Sequence, residues 1–464
     1  MITETSLKTV LLGSGAAIAL LAGPALADEV TDLKSQIDAL QSRLDQMETK
    51  QKASSERVAP AQAVTGGEFP GSWKLPGSDT SISFSGYVKA DAMFTIGRQH
   101  TAVGDSFVVS SIPVDGAAAE NQGGDFRMHA RQSRFRFDSR TPTEWGSLRT
   151  RIEGDFFGTG GNQRFSNSNS FRLRHAWGQL GPVLAGQTWT TFQDQDTFFD
   201  TVDFFGVAGQ EFARQAQIRY SASLHKEVSV DLSIENPEQI NIRNVGNAAV
   251  TNANFQDKLP DFVAALRWRP SWGAINLSGV LRYFHYDDGV GAQDDSIGGG
   301  GHFGITIKTW GKDSLGFVAN YGKGLGRYVT GASALDYAVT CAHNRIDNAG
   351  NLGMVAGCGA DIHLSTTYGG WLGYTHYWTD TLRSNAIIAM GGSKIDVSKL
   401  GNAARGRSEA TRTVHVNLMW NPVSKVTIGL EYMHGWNYVA NTAGAATDSD
   451  GSAGRVQLGM QYNF

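Results

Sequence analysis

Long apolar runs are almost absent from this 464-residue chain. Hydrophobic residues make up 41% of it and charged residues 18%, a mixture too polar for helices that cross a bilayer, each of which needs about 20 consecutive apolar residues. The one strongly apolar run, Val10 to Leu21, is shorter than that; it follows Lys8 and ends in Ala25-Leu26-Ala27 ahead of an acidic stretch. A charged start, a short apolar core and a small-residue exit describe a secretory leader, with cleavage predicted after Ala27. A short N-terminal anchor helix is the alternative.

Cysteine is equally scarce. Cys341 and Cys358 stand alone, and export favours their pairing as a disulfide within one Gly-rich, Asn-containing stretch; two free buried thiols are the alternative. A basic excess is also missing: the net charge is −4, which argues against nucleic acid as the main partner. No nucleotide, zinc or calcium motif stands out, so neither a cofactor nor a metal is expected. His285, His376 and His434 are scattered outside any nucleophile and base pattern, so an enzyme is not expected either.

What is present falls into four parts: a leader over 1–27, a helical segment over 28–52, a linker over 53–80 and a long β region over 81–464. In the second part Val30, Leu33, Ile37, Leu40, Leu44 and Met47 recur at steps of three and four with charged and amide residues between them. That is a heptad seam suited to parallel association of helices, without fixing their number. A single amphipathic helix lying on another surface fits the same pattern. From Ala53 to Pro76 the composition turns to Ala, Gly, Ser and Pro without period, which reads as a flexible linker.

From Ser81 onward, windows of about ten residues alternate in polarity between turn residues, the signature of a transmembrane barrel. The last is the clearest: from Val456 to Phe464 every even position is apolar or aromatic and every odd one is polar or Gly. Sixteen such windows can be read, the first near Ile82 to Gly97. Their connections alternate in length. Short turns such as Gly181-Pro182 and His225-Lys226 separate long polar stretches such as Arg98 to Met128, Phe192 to Gln210, Asp288 to Gly298 and Gly326 to Asp361. The expected fold is therefore all-β: a 16-stranded antiparallel transmembrane β-barrel with a short N-terminal coiled-coil helix. Short turns on the periplasmic side and long loops outside are the rule for such barrels, which puts both chain ends in the periplasm of a Gram-negative cell. A soluble sandwich would need the outward Phe, Tyr, Leu and Trp to pack on a second sheet.

The same alternation marks which side chains meet water. Arg134 and Arg136 alternate with phenylalanines, Arg149 and Arg151 share a face with Glu153 and Asp155, and Arg172 and Arg174 stand opposite Phe171, Leu173 and Trp177. Arg219, Arg267, Arg269 and Arg282 are further inward candidates. Strands lie about 4.8 Å apart, so arginines of consecutive strands would form one basic stripe. Guanidinium forks suit carboxylate and phosphate oxygens, and basic stripes make anion pores selective. Pairing with Glu153, Asp155 and Asp138, merely stiffening a wet wall, is the plainer reading.

The stretch Phe192 to Phe205 mixes aromatic residues with Asp194, Asp196, Asp200 and Asp203. It is expected to fold inward as a constriction loop, its acids facing the arginine wall.

These residues resemble the DcaP-like porins of Gram-negative bacteria. The likeness rests on Ser85-Gly86-Tyr87-Val88-Lys89-Ala90-Asp91, on Arg131-Gln132-Ser133-Arg134-Phe135, on Gly186-Gln187-Thr188-Trp189-Thr190-Thr191-Phe192 and on Arg214-Gln215-Ala216-Gln217-Ile218-Arg219-Tyr220. It spans nearly the whole mature chain, and Phe464 looks like the terminal assembly signal of outer-membrane barrels generally. The resemblance implies a homotrimer in outer-membrane lipid and lipopolysaccharide, with inward arginines serving uptake of dicarboxylates and other small anionic solutes. A phosphate-selective or general porin shares the plan, and a structural tether or adhesin would account for the coil alone. The long loops, above all the cysteine-bearing one, depart from that family.

Overall fold

A computed structural model describes residues 24–57, 66–98, 105–158, 166–239, 243–244, 256–287, 291–330, 336–341, 359–394, 407–440 and 449–464. The chain divides into two compact units, Met1–Gly66 with Lys74–Ser78 and Gly67–Trp73 with Asp79–Phe464. The expected leader falls almost wholly in 1–23, outside the described residues.

In the first unit, helix α1 runs over Pro24–Arg57. Proline suits a helix start, where its missing N–H costs nothing, and the residues that follow are mostly good helix formers. The helix passes the expected boundary at residue 52 because Ala53 to Arg57 hold no Gly or Pro to stop it. Leu33, Ile37, Leu40, Leu44 and Met47 are all exposed along it. Among the described residues, no helix is long and apolar enough to cross a membrane.

The second unit is a closed antiparallel barrel of sixteen strands. In chain order these are β1 (Ser81–Gly97), β2 in two pieces (Asp125–His129 and Arg134–Thr143), β3 (Gly146–Asp155), β4 (Arg172–Leu180), β5 (Val183–Trp189), β6 (Arg214–Ser223), β7 (Val228–Glu235) and β8 (Asp261–Trp268). The second half comprises β9 (Gly273–Asp287), β10 (Gln293–Lys308), β11 (Ser314–Lys323), β12 (Thr366–Tyr377), β13 (Leu382–Lys394), β14 (Arg407–Trp420), β15 (Val426–Ala440) and β16 (Ser449–Asn463). Strand β2 breaks where Ser133 N–H turns back to the Ala130 carbonyl. Tyr87 pairs with Asn463 and Gly97 with Ala453, so β16 closes on β1 and the sheet has no edge. That satisfies the backbone everywhere along the wall.

The wall is uneven. Strands β3 to β8 have seven to ten residues, whereas β9, β10 and β13 to β16 have thirteen to sixteen. Because β9 and β10 are so long, the connection expected at Asp288 to Gly298 shrinks to residues 288–292.

Outward positions carry exposed Phe84, Phe94, Ile152, Leu266, Leu281, Ile388 and Leu430. The core lies inside, where loop side chains pack on the longer strands: Val207 and Ala208 against Val318, Trp371 and Ile387, and Phe107, Val109 and Ile112 against Met433. Beyond the barrel, a small sheet joins Arg243–Asn244, Tyr337–Cys341 and Ala360–Leu364. Cys341 ends its central strand opposite Ala360, and Cys358 lies outside the described residues.

Candidate functional site

The connection between β5 and β6 folds into the barrel and is tied to the wall almost all the way round. Thr191 N–H donates to Glu235 Oε1 at 2.8 Å and Ser278 Oγ to the Phe192 carbonyl at 2.6 Å. Further along, Asn417 Nδ2 donates to the Asp200 carbonyl at 2.7 Å and Lys89 Nζ to the Val202 carbonyl at 2.8 Å. On the return, Thr413 Oγ1 accepts from Ala208 N–H at 3.2 Å. Gly209, in a left-handed conformation at φ +75°, then lies directly on Gly369 and Gly391, where an added Cβ would strike backbone. Only glycines allow so close an approach.

The side chains of the four loop aspartates are held as well. Asp196 pairs with Arg269 at 2.7 Å and Asp200 with Arg383 at 2.7 Å. Asp203 accepts from Phe205 N–H at 2.8 Å and Phe107 N–H at 3.2 Å, with Arg455 3.8 Å away. Asp194 is 1% exposed; its Oδ1 accepts from Asp196 N–H at 2.8 Å, while its Oδ2 is buried without a partner. Burial pushes the Asp194 and Asp203 carboxyls above the usual carboxylate range. The expectation that all four acids face the arginine wall is therefore corrected: Asp196 meets it at Arg269, while Asp200 and Asp203 turn to Arg383 and Arg455 on other strands and Asp194 is buried. A carboxylate finds better partners in the N–H and guanidinium donors of the opposite wall than in a wet gap.

Between the loop and the low wall lies a cavity of about 770 Å³. Six guanidiniums line it, those of Arg134, Arg151, Arg174, Arg219, Arg267 and Arg269, against two carboxylates, Glu153 and Asp231. The loop side supplies Gln193, Gln195, Phe198, Gln210 and Phe212. Among the described residues, no group of three or more His, Cys, Asp or Glu is placed to hold a metal.

The arginines differ in what they touch. Arg174 contacts Glu153 and Asp155, both at 2.9 Å, Arg172 contacts Asp155 at 2.7 Å, and Arg134 lies 3.3 Å from Glu153. Arg151 and Arg136 share Asp138 at 2.7 and 2.9 Å, and Arg267 pairs with Asp231. Arg219 has no salt bridge among the described residues, and its Nε is buried without a partner. Arg136, Arg149 and Arg172 do not line the cavity. Arg149 is exposed opposite Arg140 near the β2–β3 turn, and Arg172 stacks on Phe157 and Phe204.

Arg282 is the clearest departure from the alternation. It is 1% exposed, held by Asp336 at 2.8 Å and Asp261 at 3.1 Å and by the Gly324 carbonyl, far from water. Descending loops cover the top of β9, so an inward position there is a buried one.

Two contributions escape simple alternation. A β-bulge at Arg174 on β4, opposite the Glu153–Gly154 step of β3, puts Arg174 and His175 both inside. The phase then flips, and Trp177, expected outside, lines the cavity 5.5 Å from the Arg151 guanidinium. Arg214, at the start of β6 and out of phase with Gln215, Gln217 and Arg219, lies near Arg174, Arg172 and Arg134. It stands over Trp189 and Phe212, which line the cavity, and a buried NH of its guanidinium has no partner.

Comparison with known proteins agrees with this architecture. A family model described as Porin subfamily matches residues 70–450. Porin Omp2b of Brucella canis is 23% identical over 286 residues; the match covers 60% of this chain and 66% of that relative, just under two thirds of its length. The outer membrane channel DcaP of Acinetobacter baumannii has a similar structure, with a TM-score of 0.65 and 21% identity over 83% of this chain and 97% of that one. OmpT of Vibrio cholerae has a TM-score of 0.50 and 12% identity over 84% and 99%. At these identities the two structures share a fold with this chain.

Proposed function

The chain belongs to the porin subfamily, and from that membership we propose that it is an outer-membrane channel through which small polar solutes diffuse, anions ahead of cations. A channel of this kind performs no covalent chemistry. Its work is done by the width of the passage and the field along it. The passage is the cavity between the inward loop and strands β2 to β8, and the loop is its constriction.

The observation that carries the anion preference is the excess of guanidinium over carboxylate along that cavity, together with Arg214 and Arg219, whose buried N–H groups lack partners. A buried unsatisfied donor is costly; an entering carboxylate or phosphate would supply the missing acceptor. Forks on several strands suit a solute with two carboxylates, which can engage two arginines in passing, so dicarboxylates are the favoured cargo. Pairing of Arg134, Arg151, Arg174 and Arg267 with acids supports a second reading: a stiffened wall around a general or phosphate-passing porin. Liposome swelling separates them. The first reading requires succinate to enter faster than a neutral sugar of similar size; equal rates support the second.

The low wall and the helix both support a trimer. A seven-residue strand tilted by about 40° reaches only about 18 Å, short of an apolar band about 25 Å tall. Neighbouring copies would cover that deficit, and the exposed seam of α1 would zip the three chains together in the periplasm. A leader cleaved after Ala27, both chain ends in the periplasm and a Cys341–Cys358 disulfide complete the reading.

A further inference from the structure

On the long wall, outward side chains of β11 to β15 form an apolar surface with a dent in it. Phe317, Ala319 and Tyr321 of β11 pair in register with Leu372, Gly370 and Tyr368 of β12, and these with Ile388, Met390 and Gly392 of β13. Ala319 and Gly370 are the small residues at the centre. Over them lies a groove of about 490 Å³, bordered by Phe317, Tyr368, Leu372, Met390, Val414 and Trp436.

Cations crown one end of it. Arg412 sits in register between Met390 and Trp436, and Lys323 and Lys394 both pair with Thr366. All three are exposed, and none makes a salt bridge among the described residues. Arg412 has its guanidinium over Tyr438, 4.9 Å from the centroid, and a hydrogen bond of 3.4 Å to the phenol. Glu409 lies beside Tyr368, which Arg412 also faces. From Trp420 up to Arg412 is eight residues, about 26 Å along the strand and about 20 Å across the membrane. Arg412 thus stands within about 5 Å of the outer edge of an apolar band about 25 Å tall, a gap that its long side chain spans to meet an anionic headgroup.

We propose that this groove binds a phosphorylated, multiply acylated glycolipid of the outer leaflet, one acyl chain lying over Gly370 and its phosphates meeting Arg412, Lys323 and Lys394. The proposal rests on the outer-membrane reading above. Lys323 and Lys394 stand two strand spacings apart, about 10 Å, and Arg412 four residues lower. That spread exceeds one phosphate and fits a headgroup carrying two on a disaccharide, which sets the glycolipid apart from a simple phospholipid.

The test is native mass spectrometry of the purified full-length protein titrated with diphosphoryl lipid A or with phosphatidylglycerol. Wild type is expected to hold lipid A. The triple variant K323Q/K394Q/R412Q should bind it at least tenfold more weakly, and A319L, which fills the groove without touching charge, should weaken it as well. Both variants should keep wild-type single-channel conductance, because no lumen residue is altered. Wild-type binding by both variants overturns the proposal, as does equal retention of phosphatidylglycerol. A wild type that binds lipid A yet conducts nothing would contradict the channel reading and leave the lipid site standing.

Discussion

The guanidinium of Arg214 stands over the Trp189 ring, 4.4 Å from its centroid. A cation held this way costs little to keep free of carboxylates, since the contact contributes about 0.5–2 kcal/mol. Trp189→Leu should release Arg214 and widen the passage. Single-channel recording should show higher conductance and an anion-to-cation permeability ratio falling toward unity; an unchanged ratio would remove Trp189 from the pathway.

Glu431 anchors the middle of the loop by accepting the Val202 N–H, and it also accepts from His415 at 2.8 Å and Asn417 at 3.3 Å. Glu431→Ala would strand these donors at about 1–3 kcal/mol each. Larger and noisier open-channel current is expected, with earlier proteolysis between Phe192 and Glu211. Quiet wild-type current would show that the remaining ties suffice.

Asp194 bears on pH. Desolvation raises its pKa in the folded chain, opposed by the Asp196 N–H and by His302. Its favourable contribution to folding is therefore complete below the unfolded value near 3.9 and is lost as pH rises through the higher folded value. Asp194→Asn removes that penalty. Thermal unfolding should find the variant more stable at pH 8, by about 1–3 kcal/mol, and level with wild type in acid; greater wild-type stability at pH 8 would refute the assignment.

Arg282 holds the loops above β9 rather than the passage. Arg282→Ala removes the cation that bridges the buried Asp261 and Asp336, a loss of about 3–5 kcal/mol. Amide exchange in Tyr337–Cys341 should accelerate while ion selectivity stays as in wild type. A loss of selectivity would return Arg282 to the solute pathway.

The barrel was readable because lipid outside and water inside force period-two alternation on each strand, and the ending Val456 to Phe464 shows it directly. Alternation puts Trp177 outside because no Gly or Pro among Arg172 to Trp177 marks the bulge that flips β4. The acids of the loop were recognised, but their partners Arg269, Arg383 and Arg455 lie 73, 183 and 252 residues away along the chain, beyond what local pattern can pair. Alternation does not place Arg214 inside, because it begins a strand out of phase with its neighbours. Arg282 alternates correctly and is buried by loops whose course no periodicity reveals.

The most direct test is the reversal potential of the purified protein in a planar bilayer under a salt gradient, wild type beside R214Q/R219Q. Neither substitution orphans a salt-bridged carboxylate, so the barrel should persist with its charge pairs intact. An anion-selective potential in wild type that collapses toward zero in the variant is the predicted result; cation selectivity, or a potential the variant leaves unmoved, would contradict the arginine pathway.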